Sequence, residues 1–149
     1  MRSLLCGTLV VAMMGSAAHG ASATGRIVTL VMKTLVIQAL ADMVFPSTTP
    51  GSAELSIHPD SEMSGKFIIQ GQQNTAVSIR LPQEITLVTG GGGQNEKIVI
   101  RHFTSNVGTQ GTLSGEGFLT LSVGATRQAL SPNQKVGKYI GTYRVEVVY

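Results

Sequence analysis

The chain is poor in the residues that most specialised chemistry depends on. Its 149 residues hold one Cys and no Trp, with aromatic side chains at 5% and charged ones at 13%. A single Cys cannot pair within its own chain, which excludes a disulfide scaffold. No Lys/Arg stripe exists of the kind that neutralises phosphates, so nucleic acid is not expected as a partner. No apolar run reaches the ~20 residues that cross a bilayer as a helix, and no integral membrane span is expected. Few exposed rings argue against a sugar platform. What is present is a hydrophobic fraction of 42% and 18 Gly, enough apolar side chain for one packed domain and too much glycine for a coiled coil.

Residues Met1–Gly20 have the form of a cleaved signal peptide. Arg2 precedes an apolar stretch from Leu4 to Met14, and small residues follow at a spacing signal peptidase accepts, with cleavage after Gly20 or, alternatively, after Ala23. Cys6 stands before the apolar stretch and not after it, so a lipid anchor is not expected. Cleavage removes the only thiol and one Arg, leaving ten basic against eight acidic residues over 21–149. Such a weakly charged, cysteine-free chain suits the cell envelope or the exterior.

Over 21–149, apolar residues recur with period two and turn residues interrupt them every 8–12 positions, which predicts a single all-β domain. Val77, Ile79 and Leu81 alternate with polar neighbours until Pro82, which has no N–H for a ladder. Ile85 and Leu87, Ile98 and Ile100, and Leu119, Leu121 and Val123 repeat the pattern, and Glu54–His58 and Gly65–Gly71 supply two shorter strands. Arg26 to Leu40 is rich in β-branched residues without a helix cap and also reads as strand. The expected architecture is an immunoglobulin-like two-sheet antiparallel β-sandwich of about seven to nine strands.

The C-terminal segment carries the clearest alternation: Tyr139, Gly141, Tyr143, Val145, Val147 and Tyr149 on one face, Ile140, Thr142, Arg144, Glu146 and Val148 on the other. Asn133 to Tyr139 has the form of a tyrosine corner leading into the sixth strand of such a sandwich. A sandwich ending on its sixth strand is incomplete at the C-terminal edge and exposes unpaired N–H and C=O groups that need cover. Val28, Leu30 and Met32 form a short apolar row that could supply a covering strand, in its own molecule or in a neighbour. In a neighbour the contact is head-to-tail and builds a fibre.

The run Val123-Gly124-Ala125-Thr126 through Asn133-Gln134 to Gly137–Tyr149, with Ile79-Arg80-Leu81-Pro82, Ile85-Thr86-Leu87, Gly90–Gly93 and His102-Phe103-Thr104-Ser105 upstream, resembles an uncharacterised family of secreted bacterial pilin-like β-sandwich domains associated with chaperone-usher systems. Arg127-Gln128-Ala129 departs from that family's usual apolar strand, and Phe45-Pro46-Ser47 from its usual Phe-Gly. The resemblance implies a structural subunit of a surface fibre, handled in the periplasm by a chaperone and an outer-membrane usher and then displayed at the cell surface. Its expected partners are copies of itself or related subunits, and it brings no catalytic residues or cofactor with it.

The residues themselves offer little chemistry. His58, Asp60 and Glu62 alternate, but Pro59 marks a turn and the set is too small for a structural metal site. His102 shares the parity of Ile98 and Ile100 and reads as a part-buried strand residue. The Gly90–Gly93 tract leads into a strand, whereas a phosphate loop needs Gly-Lys-Ser/Thr opening a helix. Ser114 lies in a Gly-rich turn without a nucleophile elbow. No enzymatic activity is expected. The leading expectation is a fibre subunit joined by strand donation, with Val28, Leu30 and Met32 as donor and the Tyr139–Tyr149 edge as acceptor. The competing expectation is a secreted monomeric adhesion or ligand-binding module whose N-terminal strand completes its own sandwich.

Overall fold

The computed structural model describes residues 19–149. The segment read as a signal peptide lies almost wholly outside them. The chain divides into two units, Met1–Leu30 and Val31–Tyr149. Within the first, the described residues form no strand and are exposed.

The second unit contains nine strands and, among the described residues, no helix: β1 Val36–Ala41, β2 Leu55–Ile57, β3 Gly65–Gln70, β4 Ala76–Arg80, β5 Glu84–Val88, β6 Lys97–Ser105, β7 Gln110–Thr112, β8 Phe118–Arg127 and β9 Glu146–Val148. All pairings are antiparallel. The larger sheet runs β1-β3-β8-β6-β5 with β2 also on β8, and the smaller runs β7-β4-β9. This is the all-β, two-sheet sandwich the alternation predicts.

The strands follow the sequence pattern closely wherever one face is buried. Ile69, Leu121 and Val123 on the large sheet meet Val77 and Ile79 on the small one, with Leu113 closing the cluster. Ile98, Ile100, Ala125 and Leu130 form a second cluster. The small sheet is too narrow to cover both. Met43, Phe45 and Tyr139, which come from irregular segments, pack against the second cluster where further strands would otherwise lie.

Three local expectations are corrected. The strand expected from Arg26 begins only at Val36, and Val28, Leu30 and Met32 lie in irregular backbone. Alternation selects a face, but a strand also needs a ladder partner, and the described pairings give these residues none. Tyr139–Tyr149 is not one continuous strand. Ile140 bridges Val88 of the large sheet, and only Glu146–Val148 joins the small one. The chain changes sheets between them. His102 is exposed and not part-buried, because a bulge between Arg101 and Thr104 adds a residue to β6 and shifts its parity. His102 adopts φ 53° there, and Phe103 takes the inward position instead.

Gly124 in β8 shows how closely the chain packs against this strand. β2 and β3 pair with the same edge of β8, and where the chain leaves β2 for β3 the Ile57 carbonyl and the His58–Pro59 peptide occupy the place a Cβ at position 124 would take. Backbone cannot yield there cheaply. Gly124→Ala is expected to destabilise the fold by about 1–3 kcal/mol, read as a lower urea midpoint at unchanged slope.

Candidate functional site

The shortfall of the small sheet leaves a cleft of about 1000 Å³ over the second cluster. Its floor is the inner face of β5 and β6, where Ile85, Leu87, Ile98 and Ile100 alternate inward. Residues 41–50 form one wall and residues 134–143 the other. The site is thus built from alternation on the floor and from irregular backbone at the sides.

The second wall is anchored at Tyr139. Its hydroxyl lies 2.7 Å from the Lys135 carbonyl, four residues upstream, and 3.1 Å from the Asn95 carbonyl. The buried Gln134 amide donates to the same hydroxyl at 2.8 Å and reaches the Asn95 and Lys97 carbonyls. This is the back-bond that defines a tyrosine corner. Lys135 also forms an ion pair with Glu96, whose carboxylate accepts the Gly93 N–H at 2.7 Å. The Lys135 hydrogen bond, followed by the Gly93 N–H, holds the Glu96 carboxyl below its ordinary range, and the same pair raises Lys135. The glycine tract therefore wraps a carboxylate of its own chain, with Gly90 and Gly92 at positive φ. Tyr139→Phe removes the donor to the Lys135 carbonyl and one acceptor of the Gln134 amide, which keeps the Asn95 and Lys97 carbonyls, and should cost about 1 kcal/mol, measurable by denaturant unfolding.

Beyond the corner the predicted alternation holds in burial although the ladder does not. Tyr139, Tyr143, Val145 and Val147 are half-buried, while Ile140, Thr142, Arg144, Glu146 and Val148 are exposed. Gly141 fits closely against Leu87 and the Thr86 carbonyl. Tyr143 sits edge-on to Phe67 at 5.9 Å and beside Phe103 at 5.5 Å, with its hydroxyl over Gly65. That hydroxyl is buried and unpartnered, and burial, with a smaller contribution from Asp42, pushes its pKa up to about 12. At the far end the Tyr149 hydroxyl donates to the Lys33 carbonyl at 2.6 Å and accepts the Gln72 N–H at 2.8 Å.

Two segments, the first of them reaching the cleft through residues 141–143, leave backbone groups without a strand partner. Residues 141–145 belong to no strand. β9 terminates the order β7-β4-β9, so among the described residues one of its edges has no strand partner. Of the expected donor residues, Val28 is 73% and Leu30 80% exposed, and Met32 is half-buried.

Arg127, which in the sequence stands out only as a departure from the family's usual apolar strand, is a site residue. It is 4% exposed on the inward parity of Val123 and Ala125, and it lines the cleft. One guanidinium nitrogen donates to the Ala53 carbonyl at 2.6 Å, while Nε and Nη1 have no partner. Burial lowers its pKa. Its strand parity was available from the sequence, since it continues the row Leu121, Val123, Ala125, but a charge at an inward position reads as a strand end. His58, Asp60 and Glu62 fall in a turn region outside the cleft, and among the described residues no three His, Cys, Asp or Glu are grouped to hold a metal ion.

No curated protein and no solved structure matches the chain. A family model does match, over residues 23–149, and by that match the chain belongs to the family described as the domain of unknown function DUF4402.

Proposed function

We propose that this protein is an exported structural subunit of a surface fibre, of the pilus or fimbria kind, in which each subunit's cleft receives a β-strand from a neighbour. The observation that carries the reading is the strand-free backbone of residues 141–145, the first three of which line an apolar cleft of about 1000 Å³, leading into the open edge of β9. An open strand edge either aggregates or is covered by another strand. Strand addition supplies both main-chain hydrogen bonds along the edge and pockets for alternate side chains. The row Val28, Leu30, Met32 has the matching period of two, and Val28 and Leu30 are largely exposed. Burying three such side chains contributes roughly 1.5–3 kcal/mol each before ordering costs.

The same cleft must be protected during export, which assigns the chaperone and usher of the expected system a physical task. A chaperone strand would occupy the groove until a neighbour's arm replaces it. The fibre is built because the donated arm and the accepting cleft are different surfaces, so the contact repeats without closing.

Size-exclusion and unheated SDS gels of the purified mature chain test the reading. Ladders of SDS-resistant oligomers are the expected result. A chain that stays monomeric at every concentration would instead favour a monomeric adhesion or ligand-binding module.

A further inference from the structure

The cleft carries a charge that the chain's own arm does not answer. Arg127 is buried with Nε and Nη1 unpartnered, although a buried charge is ordinarily paired. Lys135 and Lys138 also line the cleft, against Asp42 as the acid among its lining residues, and Lys135 is already paired with Glu96. Residues 21–41 contain no Asp or Glu, and they bring Arg26 and Lys33. Inserting that arm therefore places more positive charge beside an unanswered guanidinium.

We propose that the preferred occupant of the cleft is an apolar β-strand from a different chain that carries one carboxylate, received by Arg127. This rests on the reading of the cleft as a strand acceptor and adds the chemistry of the strand it selects. A carboxylate supplies acceptors for the free Nε–H and Nη1–H groups in a water-poor setting, where charge-assisted hydrogen bonds are strongest. Alternate apolar side chains cover Ile85, Leu87, Ile98 and Ile100, and the strand's main chain meets the open edge. Self-association through residues 28–32 is then the weaker joint, and a partner with an acidic donor strand displaces it. Such a preference orders assembly, because unlike chains join before like ones.

The test uses the full mature chain and fluorescein-labelled peptides of residues 24–34. One peptide has the natural sequence, and the others carry a single substitution: Thr24→Glu, Arg26→Glu, Val28→Glu, Leu30→Glu or Met32→Glu. Anisotropy titrations are expected to show at least one Glu peptide binding about tenfold or more tighter than the natural peptide. That advantage should vanish in both Arg127→Gln and Arg127→Leu, neither of which leaves a buried charge behind. Glu peptides that bind no better than the natural one, or that keep their advantage in both variants, overturn the role of Arg127 while leaving strand acceptance standing. Failure of every peptide, the natural one included, overturns both.

Discussion

Tyr143→Ala is expected to lower the unfolding free energy by about 3–5 kcal/mol, a large share of the 5–15 kcal/mol typical of a domain. The ring joins the aromatic pair Phe67 and Phe103 and sits among the side chains that pack on the first core cluster. It also closes the space above Gly65, so its removal opens a cavity between the sheets at the inner end of the cleft. Tyr143→Phe should behave in the opposite way. The hydroxyl has no partner, so its loss sacrifices no hydrogen bond and relieves a desolvated polar group, leaving stability unchanged or raised. Urea unfolding of the two variants separates packing from polarity at one position.

Tyr143 also sets a pH dependence. Its pKa rises from 10.0 to about 12 on folding, chiefly through burial and secondarily through Asp42. A raised pKa means the folded state holds the proton more tightly than the unfolded one. The associated stability is fully present below pH 10 and is lost as pH climbs through about 12. The loss attributable to this group is on the order of 2 kcal/mol. Tyr143→Phe removes that component, so the difference between the two proteins should widen across this window and stay flat below it.

Removing the N-terminal arm should have an all-or-none effect on assembly. Deletion through Lys33 from the mature chain takes away Val28, Leu30 and Met32 together and is expected to abolish polymers while leaving a chaperone-bound monomer. Because it also removes the carbonyl that accepts the Tyr149 hydroxyl, a shorter deletion through Leu30 is the cleaner variant. It spares every residue of the second unit and still removes the two exposed members of the row. Polymers of unchanged length and SDS resistance after both deletions would eliminate residues 28–32 as the donor. Loss of polymers with a folded, soluble remainder supports it.

Most of the fold was legible because half-buried strands write a period of two. β3, β4, β5 and the apolar part of β8 follow their alternating residues, and even the C-terminal segment buries the side chains its pattern selects. What alternation does not encode is the hydrogen-bond partner. Tyr139–Val147 keeps one face inward while its backbone passes from the large sheet to the small one, a change of partners that leaves the side-chain pattern intact. β7 was missed for the opposite reason, since Gln110-Gly111-Thr112 has no apolar pattern and is held by its ladder to β4. The bulge at His102 escaped because one inserted residue reverses parity without a Gly or Pro to announce it. The cleft follows from the width of the two sheets, which depends on pairings between distant segments.

Residue types suggest a tyrosine corner opening a strand; the back-bond of Tyr139 to Lys135 is present, but only a single bridge at Ile140 follows it and the next strand begins at Glu146. Arg127 was not legible as a site residue. Its position was readable as inward, but its consequence lies in which of its nitrogens find partners, and Ala53, which supplies the acceptor, is 74 residues away in the sequence.

Donation between molecules is tested most directly by site-specific cross-linking, for which the chain is well suited because its only Cys is Cys6. Mature chains carrying Leu30→Cys are mixed with chains carrying Thr142→Cys, allowed to assemble and oxidised, with Thr120→Cys on the outer face of β8 as the control acceptor. A disulfide-linked mixed dimer is expected for the Leu30/Thr142 pair well above the Leu30/Thr120 control. Equal yields for the two pairs, or no mixed dimer from the Leu30/Thr142 pair, would contradict donation between molecules.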